Sequence, residues 1–147
     1  MTWKIRSAYQ KDVPKLEAFL TKAGVSADGL NDFIENFSLM ENQDGELKAC
    51  LGVEPVDKAG LLRSFVVSPQ IGQPDLMLLF KRAFLTAKNQ ELDELYLVTN
   101  KMSAVSFFSG FGFEMVNQSE LPQALLEKSH IKQVLTVDNS AIMKIIL

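Results

Sequence analysis

The chain has one cysteine, Cys50, and one histidine, His130, among its 147 residues. That excludes an intramolecular disulfide and leaves too few ligands for a cysteine-rich zinc site. Basic residues never gather more than two in a row and the net charge is −3, so the phosphate-neutralising patch of a nucleic-acid binder is missing. No apolar run reaches the roughly 20 residues that span a bilayer. Met1-Thr2-Trp3-Lys4-Ile5-Arg6 also lacks the apolar core of a signal peptide. With no Ser/Gly/Pro-rich linker, internal repeat or low-complexity tract, one domain is expected over residues 1–147. These absences together predict a cytoplasmic, metal-free protein without nucleic-acid or membrane partners.

What remains is a chain with 47% hydrophobic residues arranged in periodic blocks, the composition of an ordinary globular domain. Residues 3–8 alternate as a first strand. Asp12 is placed to cap a helix with Pro14 in its first turn, and Leu16, Phe19, Leu20 and Ala23 form its stripe before Gly24 ends it. Residues 27–37 predict a second, short helix. Strands over 37–41 and 47–54 are joined by Asn42-Gln43-Asp44-Gly45, and Asp57-Lys58-Ala59-Gly60 turns into a third strand over 61–67. That strand is apolar on both faces, as a covered central strand is. Residues 74–90 are the clearest helix, with Leu76, Leu79, Phe80, Ala83 and Ala87 at helical spacing. A strand over 92–98, a helix over 103–110 capped by Ser103, a strand over 113–116, a short helix over 122–128 and a last strand over 140–147 complete the order. The fold class is α/β (α+β), a mixed and mostly antiparallel sheet with helices on both faces.

The order of elements, together with Ala23-Gly24-Val25, Gly52-Val53-Glu54, the run from Leu61 to Pro69, Tyr96-Leu97-Val98-Thr99, Phe107-Phe108, Gly112-Phe113 and Glu120-Leu121-Pro122, resembles the GCN5-related N-acetyltransferase (GNAT) superfamily over nearly the whole chain. It looks most like a branch of small-amine and amino-acid acetyltransferases, some of them from arsenic-resistance operons. The resemblance implies the GNAT fold, with a V-shaped splay between the fourth and fifth strands, and acetyl-CoA as cosubstrate. It further implies a bulge in the strand over 61–67, whose backbone near Phe65, Val66 and Val67 holds the pantetheine arm and polarises the acetyl carbonyl. Asn100 is similar to residues that contact the CoA arm.

The family's pyrophosphate loop, Arg/Gln-x-x-Gly-x-Gly/Ala, falls here on Gly72, Gln73, Pro74 and Asp75. Its glycines let backbone N–H groups approach the phosphates. In this chain Gln73 and Asp75 replace two of them, and Pro74 has no N–H. The loop is degenerate, and as helix chemistry Pro then Asp is simply a good start signal. Phe108 stands where many members have the tyrosine that protonates the leaving thiolate, and phenylalanine has no proton to give.

Glu54 matches a position where members place a base for the amine; the alternative is a solvated strand-end glutamate. Arg63 interrupts an apolar strand and needs a partner. Two are open, an acidic neighbour or a substrate carboxylate suited to the arginine fork. Ser64 and Thr99 could add hydroxyls to the cleft. Cys50 reads as a small core residue, His130 as a surface residue, and Phe107, Phe111 and Phe113 as core. The apolar C-terminus reads as a core strand, or as a strand pairing with a second copy in a homodimer. Two functions follow. One is an acetyl-CoA-dependent N-acetyltransferase in which a small amine or amino acid attacks the acetyl carbonyl directly. The other is a degenerate, non-catalytic GNAT-fold protein that binds a metabolite or a protein partner.

Overall fold

A computed structural model of the chain describes residues 3–128, 131, 132, 135 and 140–147; His130 lies outside the described residues. Among the described residues seven strands form a mixed sheet in the order β1-β2-β3-β4-β5-β7-β6, flanked by helices. β1 (Lys4–Ser7), β2 (Phe37–Glu41) and β3 (Leu47–Val56) pair antiparallel. β4 (Ala59–Val67) follows β3 through a turn. The chain divides into two compact units, one formed by Met1–Glu54 and Leu62–Gln90, the other by Pro55–Leu61 and Glu91–Leu147.

In the first unit α1 (Val13–Lys22) starts after Asp12, where its Pro14 is tolerated because the first-turn N–H groups have no intrahelical acceptor. Asp12 occupies the predicted cap position without performing the predicted cap. Its two oxygens accept Arg6 Nη1 and Nη2 at 2.8 Å each and it also accepts the Tyr9 N–H. Arg6 Nε reaches Glu41 Oε1 at 2.8 Å, and Lys15 closes the network on Glu41 Oε2. The guanidinium holds Asp12 down at about 2 and lowers Glu41 as well.

The helix predicted over 27–37 is instead a 3-10 segment over Leu30–Asn36, entered through a left-handed Gly29 and broken at Phe33. Asn and Asp in its sequence are weak helix formers that compete for their own backbone. The break lets Phe33 and Phe37 stack with centroids 5.3 Å apart. They join Leu16, Leu20, Leu39 and Cys50 in one buried cluster. α2 (Gln73–Asn89) buries Leu79, Phe80, Ala83 and Ala87, and Gln90 after its end exchanges amide hydrogen bonds with Asn36.

In the second unit β4 begins parallel to β5 (Glu94–Thr99), with Ala59, Gly60 and Leu61 opposite Glu94, Leu95 and Tyr96. The turn before β4 is therefore only Asp57-Lys58, and Ala59 and Gly60 belong to the strand. α3 (Met102–Gly110) starts before Ser103, so Lys101 and not Ser103 holds the cap position. β6 (Glu114–Val116) and the one-turn α4 (Gln123–Leu126) follow. β7 (Ala141–Ile146) pairs with β5 on one side and β6 on the other. β5 pairs it from Ala141 to Ile146 and β6 covers Ile142, Met143 and Lys144 on its other edge, the placement of a core strand. Leu61, Tyr96, Leu121, Leu125 and Ile142 form this unit's core. Among the described residues no helix is long and apolar enough to cross a membrane.

Candidate active site

Ser64, in the middle of β4, has a φ of 58°. A non-glycine residue in the left-handed region is unfavourable and marks a bulge when it occurs inside a strand. The side chains confirm the break in alternation. Arg63 lies over Phe33 and Val66 packs against the same cluster, although they are three residues apart and an unbroken strand would put them on opposite faces. Phe65 points elsewhere, its ring edge-on to Phe80 of α2 at 5.1 Å.

The backbone beyond the bulge has a definite sense. The Ser64 carbonyl accepts the Cys50 thiol at 3.1 Å. Ser68 N–H reaches the Lys48 carbonyl on β3 at 2.8 Å. With the Ser68 N–H turned to β3, strand alternation gives Val66 the same sense and turns the N–H groups of Phe65 and Val67 to the opposite edge. These are two of the three amides singled out in the sequence.

Glu54 and Arg63 come together. Arg63 Nη1 donates to Glu54 Oε1 at 3.1 Å, with only 10% and 13% of their side chains exposed. Arg63 Nη2 also donates to the Asp28 carbonyl at 3.1 Å, and the guanidinium carbon stands 5.2 Å from the Phe33 ring centre. The arginine has therefore found the acidic neighbour that was one of its two open partners. Its placement is over-determined, since a charge this far from water needs each of these partners.

The loop after β4 runs through Ser68 and Pro69, with Ile71 N–H bonded to the Ser68 carbonyl, and Gly72 caps α2 in an extended conformation. Nothing in the chain's own geometry requires glycine there: a Cβ at Gly72 would meet only the Pro74 ring, at 3.7 Å. Gly72 and Gln73 are exposed, and Leu76 N–H is taken by the Gly72 carbonyl. Because Pro74 has no N–H, the amides of Gln73 and Asp75 are what the first turn can offer an anion. Asp75 sets a carboxylate beside them.

The other two candidates belong to the second unit. Asn100 is exposed just after β5. Phe108 is buried on α3 and packs edge-on against Phe107 and Phe113, with centroids 5.4 Å away in each case. The sequence reading missed the Phe33 ring beneath Arg63 and the hydrogen bond from the Cys50 thiol to the Ser64 carbonyl. It also missed the purpose of Gly52, where an added Cβ would strike Phe37 at 2.7 Å. A glycine inside an apolar strand is the available signal for such a close approach.

No protein-family model matches the chain. Solved structures similar to it include the N-acetylglutamate synthase of Neisseria gonorrhoeae with coenzyme A and N-acetyl-glutamate, with a TM-score of 0.76 and 23% identity. The match covers 100% of this chain and 35% of that one, so the chain spans about a third of the synthase's length. A GNAT-family acetyltransferase from Staphylococcus aureus matches over 99% of both chains, with a TM-score of 0.75 and 20% identity. The fold is therefore that of the GNAT acetyltransferases. At the level of sequence, the chain is 30% identical over 145 residues to the uncharacterized protein YwlB of Bacillus subtilis, covering 98% of this chain and 97% of that one. It belongs to the family of YwlB.

Proposed function

We propose that the 147 residues act as one acyl-CoA-dependent N-acetyltransferase domain whose acceptor is a small amine bearing a carboxylate, such as an amino acid. The observation that carries this is the Ser64 bulge, which turns the Phe65 and Val67 amides away from β3 just beyond the Arg63–Glu54 pair. Amides aimed at one edge are what a thioester carbonyl needs, since its oxygen gains negative charge as the amine adds. The amine nitrogen attacks the acetyl carbon, the C–S bond breaks, and the thiolate leaves as CoA. The proton lost by the amine passes to a base and returns to the thiolate through water, because Phe108 supplies none.

In this reading Arg63 takes the acceptor's carboxylate in a forked contact, with Ser64 beside it. Glu54 Oε1, now held by Arg63, is exchanged for that carboxylate and becomes the proton acceptor. In the first unit Gly72 and Gln73 would contact CoA; for Asn100 and Phe108 a CoA contact is what the sequence resemblance implies. The N-acetyl-glutamate held by the Neisseria synthase is in keeping with an amino-acid acceptor, as is the sequence resemblance to amino-acid acetyltransferases. Titration of the protein with acetyl-CoA by calorimetry tests the proposal, and no binding at millimolar ligand would overturn it. A screen of amino acids with a thiol-release assay should then find turnover that falls sharply in E54Q and R63M.

A second reading is favoured by Pro74 and Asp75. A loop with one amide removed and one carboxylate added grips pyrophosphate poorly, so the scaffold could serve a metabolite or a protein without CoA. CoA retained through purification would decide against it.

A further inference from the structure

An arginine held this far from water depends on each of its partners, and those of Arg63 are of two kinds. Glu54 Oε1 and the Asp28 carbonyl each accept one N–H, from Nη1 and Nη2 in turn, at 3.1 Å. Phe33 takes no N–H at all. Its ring centre stands 5.2 Å from the guanidinium carbon, within reach of a cation–π contact. The ring is itself fixed. It is buried at the break in the 3-10 segment and stacked on Phe37, which lies close against Gly52. In the acceptor reading above, an incoming carboxylate replaces Glu54 through a forked pair of N–H groups. The guanidinium has to keep its place through that exchange. A ring that uses none of its donors is the partner the carboxylate does not compete with.

We infer that Phe33 is a positioning residue for the acceptor: its ring holds the Arg63 guanidinium in place while Glu54 is exchanged for the substrate's carboxylate. The substrate half of this rests on the acetyltransferase reading above; the hold of the ring on Arg63 does not. If Phe33 were only a core residue, F33L and F37L would do similar harm, because the two rings share one buried cluster. A positioning ring sets them apart. F33Y, which keeps an aromatic face, should then preserve what F33L removes.

The test uses the full chain, 15N-labelled, as wild type, F33L, F33Y and F37L, each with and without E54Q, which removes the Glu54 charge from Arg63. Without ligand, 15N relaxation gives the order parameter of the Arg63 Nε–H. It should stay near the rigid value of about 0.85 in E54Q, F33Y/E54Q and F37L/E54Q, and fall below about 0.6 in F33L/E54Q. F33L alone, with Glu54 in place, should lie between. F33M takes the place of F33L if that variant does not fold. The twenty amino acids are then screened as acceptors with acetyl-CoA in the thiol-release assay. For the one that turns over, F33L should raise KM about tenfold, with kcat and the KM for acetyl-CoA little changed, and F33Y should stay within about threefold. An Arg63 signal as ordered in F33L/E54Q as in E54Q, or loosened as much by F37L/E54Q, overturns the hold. A loosened Arg63 with an unmoved acceptor KM overturns the positioning role. No turnover with any amino acid overturns the amino-acid acceptor reading, and the ligand-free order parameters still decide the hold.

Discussion

Gly52→Ala is expected to destabilise the protein through one identifiable collision. The added Cβ would sit 2.7, 2.9 and 3.0 Å from three atoms of the Phe37 ring, whereas carbon atoms rest at about 3.5–4.0 Å. The ring would have to retreat by roughly 0.8 Å to restore that spacing. It has nowhere to go, being 1% exposed and stacked on Phe33 at 5.3 Å. Phe33 in turn carries the Arg63 guanidinium. Overpacking of this kind costs about 1–3 kcal/mol, which for a chain this long is a fall of roughly 3–10 °C in Tm. Urea unfolding followed by circular dichroism measures it. F37L in the G52A background should recover much of the loss, although F37L alone leaves a cavity and destabilises. The two effects should fall short of additivity by about 1 kcal/mol or more. A G52A variant within about 0.5 kcal/mol of wild type, or strictly additive behaviour, would refute the collision.

Acid should weaken the first unit through Asp12. Its carboxyl is held at about 2, below its ordinary value of 3.8, so the stability it contributes is complete above about pH 4 and is lost as the pH falls to about 2. The shift corresponds to roughly 2–3 kcal/mol, and D12N should flatten that part of a pH–stability curve; an unchanged slope would count against the Arg6 network. Cys50 should resist a thiol reagent in the native state at pH 8, being fully buried with its pKa pushed up to about 12, and react in full in guanidinium; rapid native labelling would contradict the buried thiol.

The elements that rest on strong periodicity were legible in the sequence. The stripe from Leu76 to Ala87 placed α2 within a residue of where it lies, because 3.6-residue spacing leaves few alternatives. The left-handed Ser64 was not legible from residue type, since serine carries no glycine-like mark; only the resemblance pointed to a bulge there. Asp12 and Ser103 show why cap signals mislead: a small polar side chain before a helix is free to take a stronger partner, as Asp12 does with Arg6. Arg63 was legible as a charge in need of a partner. The identity of that partner was not, because Glu54, Phe33 and the Asp28 carbonyl are brought to it by three separate elements.

The bulge and the loop make different demands, and Asp75 separates them. At the third position of α2 its negative charge suits the helix dipole, worth about 0.3–1 kcal/mol to the helix. The same charge repels a pyrophosphate approaching the amides of Gln73 and Asp75. D75N keeps the shape and removes the charge, so it should lose about that much stability while binding acetyl-CoA roughly twofold to fivefold more tightly. S-acetyl-pantetheine has the thioester but no pyrophosphate, and its affinity should not change. Calorimetry with both ligands tells the two apart. An equal gain for both would mean that Asp75 acts on the site as a whole, and no gain for acetyl-CoA would mean that the α2 N-terminus is not where its phosphates lie. A gain confined to acetyl-CoA would show that the loop limits only how tightly the donor is held, leaving polarisation of the carbonyl to β4.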